Sequence, residues 1–308
     1  MQTVLLKAAA FVLLIALGIV LRKKKLFTSE AADVLSKISV TITLPAAIIY
    51  SFCSFEKDTS LYWLILIGFG GNLLMYGVGF LITLHRSRAD KALYTLTCPG
   101  YNIGAFTLPF VQTFMSSSEV IATCMFDAGN SIMCTGGSYA LSSALLDAEG
   151  SARERLTAFV KKLFSSVPFD VYLLMLLLTV FNIRLPGVVA SLTEPAAQAN
   201  GFVAMFMIGL MFRFEAKREY LKNACIILVL RYASATILAL LCWYCLPFSQ
   251  MVRQTLVIVL FSPSTVLAPV FTRRLGGDDG LSSCVSSISI IISVIIMTSL
   301  TMALHVAA

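Results

Sequence analysis

Apolar residues in this chain run in blocks of about 20, separated by short polar clusters. Ten blocks can be marked, at about 3–21, 33–54, 61–84, 91–115, 119–146, 160–181, 194–212, 223–246, 251–273 and 281–306. A block of that length spans hydrocarbon as an α-helix, whereas a barrel strand needs only about half as many residues. The pattern predicts an all-α integral membrane protein of ten transmembrane helices. No soluble domain fits between them.

Two blocks do not read as unbroken helices. The fourth contains Cys98-Pro-Gly-Tyr-Asn-Ile-Gly-Ala-Phe-Thr-Leu-Pro-Phe110. Pro99 and Pro109 lack an N–H, their rings crowd the preceding turn, and Gly100 and Gly104 add backbone freedom. This predicts two half-helices around an opened stretch near Pro99–Asn102. The ninth block carries Phe261-Ser-Pro-Ser-Thr-Val-Leu-Ala-Pro-Val270, with breaks expected at Pro263 and Pro269. Opened backbone at membrane depth is tolerated only where it is buried in protein or lines a wet cavity. Many secondary transporters build substrate sites this way.

Charge orients the blocks. Loops after the odd-numbered blocks carry 17 Lys and Arg, among them Arg22–Lys25, Arg86, Arg88, Arg213, Lys217 and Arg273. The opposite side carries 4: Lys7, Lys57, Arg184 and Arg253. The positive-inside rule therefore predicts a cytoplasmic-membrane protein with both termini outside the cytoplasm. Ten blocks split into five and five, at 1–150 and 151–308, and an odd number per half gives the halves opposite orientation. The broken blocks are then helix 4 and helix 9, the fourth of each half, as in an inverted repeat. The N-terminal apolar run is too long for a cleavable signal, and its basic cluster follows that run.

Polar stripes mark the fifth block of each half. Asp127, Ser131, Cys134 and Ser138 recur on one helical face, and Ser282, Ser286, Ser289 and Ser293 repeat those intervals. Such stripes serve helix–helix hydrogen bonding or wall a polar cavity. In the third block Gly68, Gly70, Gly71, Gly77 and Gly79 invite close helix approach, and Asn72 is a candidate for the same cavity. Pro45 is expected to kink the second block without opening it, and Pro195 to open the seventh as a first-turn proline.

Composition narrows the classes. Of 308 residues 58% are hydrophobic and 13% charged, about half the charged share of soluble domains. The net charge of +7 follows membrane topology and is no sign of nucleic acid. The eight cysteines lie mostly in apolar blocks and read as small buried hydrophobes. Cys242-Trp-Tyr-Cys245 has redox spacing but no thioredoxin-like βαβ pattern around it. With only His85 and His305, no His-Glu-x-x-His and no Gly-x-Ser-x-Gly, the chain is not read as an enzyme. No cofactor and no metal site is expected.

Tyr101-Asn-Ile-Gly-Ala-Phe-Thr-Leu-Pro109, Met125-Phe-Asp-Ala-Gly-Asn130, Ser262-Pro-Ser-Thr-Val-Leu-Ala-Pro269, the Gly276-Gly-Asp278 turn and the serine-rich last block resemble the prokaryotic auxin efflux carrier family. The resemblance covers essentially the whole chain. It implies a fold shared with plant PIN carriers and bile-acid symporters, usually a homodimer, with helices 1, 2, 6 and 7 as scaffold. Helices 3–5 and 8–10 would form a mobile transport domain working by an elevator mechanism. The function implied is secondary transport of a small organic anion, at family level a malate- or malonate-like carboxylate, with a proton or sodium as a possible coupling ion. Asn102 falls where the family's crossover asparagine contacts the substrate carboxylate. The chain departs from plant PIN carriers in having Tyr101 before that asparagine and no long central loop. A sensor of the same fold and a channel are the alternatives.

Substrate-binding candidates are Asn102 with Tyr101 and Gly104, then Ser262, Pro263, Ser264 and Arg231. Coupling and cavity candidates are Asp127, Asn130, Ser131, Asn72, Ser286 and Ser289. Each has a plainer reading. Asn102 could merely cap the second half-helix. Asp127, about 10 Å inside its block, could be neutralised at a helix contact. Arg231, about 13 Å along its helix from Lys222, could snorkel to the interface instead of attracting an anion.

Overall fold

In the computed structural model, which describes residues 2–53, 59–146, 152–212 and 218–306, each of the ten blocks is helical. Lys57, Arg213 and Lys217, counted in the charge tally, lie outside the described residues. The first block is α1 (Gln2–Lys23). The second is α2 (Ser29–Ile38) and α3 (Leu44–Cys53), joined by a π turn at Ser39–Thr43. After a short 3-10 turn comes α4 (Trp63–Ile82), then the split fourth block, α5 (Arg88–Thr97) and α6 (Leu108–Phe114). The fifth block is α7 (Ser117–Ile132) and α8 (Ser138–Leu145), around a π turn at Met133–Gly137. The sixth is α9 (Ala152–Leu163) and α10 (Val167–Val180), followed by α11 (Gly187–Met211) and α12 (Arg218–Cys245). The ninth block divides into α13 (Gln250–Leu260) and α14 (Ala268–Arg274), and α15 (Asp279–Val306) closes the chain. Five helical stretches among the described residues are long and apolar enough to cross a bilayer, which makes the chain a helical, multi-pass membrane protein.

The prolines divide by role. Pro99 and Pro263 lie in the opened stretches, 98–102 and 261–267, whereas Pro109 and Pro269 sit in the first turns of α6 and α14. At Pro269 the missing N–H costs little, because a helix's first N–H groups have no partner anyway. A π turn at Ile103–Thr107 precedes α6, with the Leu108 N–H reaching back to the Ile103 carbonyl. The same Thr-Leu-Pro sequence follows the π turn before α3, where the Leu44 N–H reaches Ser39 O. Widening the turn ahead of each proline gives its ring room against the preceding carbonyl. Pro45 thus bends the second block without opening it.

Pro195 does not open the seventh helix. α11 starts at Gly187, after an extended Pro186, and carries Pro195 inside. Leu-Pro-Gly at 185–187 is the earlier start signal. The carbonyl that Pro195 leaves free, on Ser191, is near the exposed end of the helix, where water can satisfy it.

Helices α1, α2, α3, α10 and α11 pack chiefly on one another, and α4–α8 with α12–α15 form a second set. Within each set, glycines bring backbones into contact. A methyl at Gly68 would overlap the Phe126 carbonyl of α7, and one at Gly129 the Ile65 carbonyl of α4. In the first set a methyl at Gly18 would lie 2.6 Å from Phe206 O of α11, and one at Gly209 would overlap Ile15 O of α1. Gly70 and Gly77 face open space and take no part in such contact. The two opened stretches meet in the second set, against a core that includes Phe106, Phe110 and Phe126.

Candidate functional site

Tyr101 and Ser264 pair as an isolated antiparallel bridge, and the Asn102 N–H donates to Pro263 O at 2.9 Å. The two breaks are therefore bound to each other through backbone. Gly100 makes the approach possible. Its φ of +86° belongs to the left-handed region, and a methyl there would lie 2.7 Å from Thr265 Cγ2.

Side chains from neighbouring helices then complete what each break leaves unpaired. Asn72 accepts from the Gly100 N–H at 2.6 Å. Asn130 accepts from the Tyr101 N–H at 3.0 Å and donates to Tyr101 O at 2.9 Å, so its amide acts as a strand partner. Asn72 donates to Asn130 Oδ1 at 3.0 Å, which joins the two amides. On the second break, Ser289 Oγ accepts from the Ser264 N–H at 3.0 Å. Ser264 Oγ donates to Thr97 O at 3.1 Å, and Thr107 Oγ1 to Ser262 Oγ at 2.7 Å. The serine stripe of α15 continues outward, Ser282 bonding Thr97 and Ser293 bonding Tyr232.

Arg231 departs from its plainer reading. It does not snorkel: the side chain is 1% exposed and points from mid-α12 into the crossing. Nη1 donates to Cys98 O at 2.7 Å, and Nη2 donates to Ser262 O at 2.9 Å and Pro263 O at 3.0 Å. The guanidinium also lies over the Tyr101 ring, 5.2 Å from its centroid. One cation thus joins carbonyls of both breaks.

Asp127 is 5% exposed, on the α7 face toward the crossing. Its Oδ1 accepts from Asn130 Nδ2 at 2.7 Å and its Oδ2 from the Tyr172 hydroxyl of α10 at 2.7 Å. Gly104 faces this pair from the π turn, where a methyl would come within 3.9 Å of Asp127 Oδ2. Ser131 is half-buried and stays outside the network, and Ser286 turns its hydroxyl back to Ser282 O at 3.1 Å.

Three side-chain donors of the crossing have no acceptor among the described residues: Asn102 Nδ2, Arg231 Nε and the Tyr101 hydroxyl. Asn102 stands at the N-cap position of the half-helix, yet its side chain makes no capping bond. The plainer reading of that residue fails on geometry. A cavity of about 300 Å³ opens beside the second break. Arg22 and Asp33 line one wall, Val266, Arg273, Asp279 and Ser286 the other. At the far end of the molecule the corresponding gap is filled. Lys7 donates to Thr113 O at 2.8 Å, Phe11 packs edge-on against Phe114, and Asn200 of α11 donates to Gln112 of α6 at 3.2 Å.

Tyr172, Thr97, Thr107 and the Thr43–Asn200–Gln112 chain were not picked out by sequence. The available signal was a hydrogen-bonding side chain in the middle of an apolar block. Comparison of the chain with family models and with curated proteins returned no match.

Proposed function

We propose that the protein is a secondary carrier of a small organic anion, with the carboxylate held at the crossing of the two breaks. The observation that carries this reading is the Asn102 amide, a buried donor without an acceptor, beside a fixed guanidinium. Buried polar groups are normally satisfied, and an unmet donor next to positive charge fits a ligand oxygen. The N-terminal end of the 103–114 half-helix adds a favourable dipole.

Elevator-type movement is supported by the division of the helices into two sets, with the crossing wholly in the second. The cavity beside Arg22 and Arg273 and the filled gap around Lys7 fit a carrier at rest with its site toward the basic side, which the charge pattern assigns to the cytoplasm. Asp127 is the candidate for proton coupling, since its bond to Tyr172 spans the two sets. The ten-helix inverted repeat and membership of the auxin efflux carrier family belong to the same proposal, which rests for them on the motifs described above.

The test is a thermal-shift screen of purified protein against small mono- and dicarboxylates, malonate and malate first, followed by flux in proteoliposomes. Ligand binding to the folded state raises the melting temperature. Asn102→Ala should fold normally and lose the anion-dependent shift together with saturable flux. An unchanged shift in that variant refutes the assignment, and binding without flux marks a sensor instead.

A further inference from the structure

We infer that Arg231 is the resident cation of the crossing, a tethered guanidinium occupying the position that opened carbonyls elsewhere offer to an inorganic ion. The inference rests on the transport reading only for its consequence for coupling.

Backbone chemistry comes first. α5 ends at Thr97 and α13 at Leu260, and the last carbonyls of a helix have no N–H partner within it. Cys98 O follows the end of α5, and Ser262 O and Pro263 O follow the end of α13. These three oxygens converge on one guanidinium. In transporters with interrupted helices, such carbonyls and helix C-terminal ends coordinate a cation.

Charge favours a cation at this point. Each helix C-terminus presents roughly half a negative charge, so two aimed at one point present about one. Arg231 supplies one positive charge and pairs with no carboxylate among the described residues. A buried, unpaired ion would be prohibitively costly, and here the two helix ends and the Tyr101 ring compensate it. Arginine suits the task because it does not deprotonate in proteins and its planar fork reaches several acceptors at once. A sodium or potassium ion would need the same oxygens. The position these carbonyls offer is therefore filled without either, and any ion coupling must run through a separate group.

The experiment uses the full-length protein in detergent at constant ionic strength, with sodium, potassium or choline as the cation. Wild-type melting should be indifferent to the exchange. Arg231→Ala should melt several degrees lower and be partly restored by millimolar methylguanidinium, which should do nothing for wild type. Arg231→Lys, keeping a charge within reach of the carbonyls, should melt above Arg231→Met. Saturable stabilisation of wild type by sodium overturns the inference. So does an Arg231→Ala variant that melts like wild type, or equal melting of the Lys and Met variants. If no substituted protein accumulates, the sodium arm on wild type decides alone. None of these readouts uses a transported anion, so failure to find a substrate would count against the carrier proposal and leave this one standing.

Discussion

Asn130→Ala removes one amide and disturbs several partners at once. In the native protein that amide accepts from the Tyr101 N–H and donates to Tyr101 O and to Asp127 Oδ1, at 3.0, 2.9 and 2.7 Å. Tyr101 is 1% and Asp127 5% exposed, so the Tyr101 N–H and Asp127 Oδ1 would become buried and unpaired, while Tyr101 O keeps the Ile103 N–H at 2.9 Å. Each such group costs about 1–3 kcal/mol, and water entering the vacated volume would recover part of it. A net loss of about 3 kcal/mol is expected. For a chain of this size that corresponds to a fall in melting temperature of roughly 5 °C. The assay is fluorescence-monitored melting of detergent-purified protein, with Ser131→Ala as control. Ser131 is the neighbouring residue and lies outside the network, so its loss should stay within about 0.5 kcal/mol. Asn130→Ala should also abolish any anion-dependent shift, because the break that carries Asn102 loses its strand-like partner. If the two variants melt together, the opened stretch is held by something other than Asn130, and the account of the crossing is wrong.

Two further outcomes can be stated. Asp127→Asn can keep both bonds by turning its amide nitrogen toward the Tyr172 hydroxyl, so it should still exchange anion at equal pH. It should lose acceleration by an imposed pH gradient, and a wild-type response to the gradient would make Asp127 a packing residue. With native cysteines replaced, a membrane-impermeant thiol reagent should label Ser117→Cys from outside intact cells and His85→Cys only after lysis. The reverse pattern would invert every helix and remove the assignment of the cavity to the cytoplasmic side.

The breaks were legible in sequence because their cause is local: a proline lacks a donor wherever it stands. What holds them in place was not. Asn72, Asn130, Ser289 and Arg231 reach the crossing from four different helices, and no spacing along the chain encodes that convergence. Arg231 shows the limit well. Its depth in an apolar block was readable, but the choice between snorkelling and burial depended on carbonyls about 30 and 130 residues away. Ser131 stands apart from the network for a related reason. A stripe drawn at helical period gives it the standing of Asp127, yet the bonds follow the face that includes Asn130 and Cys134. Tyr172 was missed because a tyrosine among leucines reads as packing until the acid opposite it is known.

The glycine contacts have a mechanical meaning. Where the backbones of α4 and α7, or of α1 and α11, touch through glycine, there is no layer of side chains to rearrange, and sliding would drive carbonyls into each other. Each of these locks lies within a single helix set, one in each. Across the seam the contacts are of another kind: a tyrosine hydroxyl on a carboxylate, a lysine on a carbonyl, one aromatic edge on another, and a cavity. Under the proposed elevator movement such contacts would be exchanged for equivalent ones a helical turn away, with this seam as the slip plane and the two helix sets as slabs that resist deformation. A glycine-to-alanine change at Gly68 or Gly18 would then damage a slab and act as a folding defect, whereas changes along the seam would alter how easily the slabs pass one another.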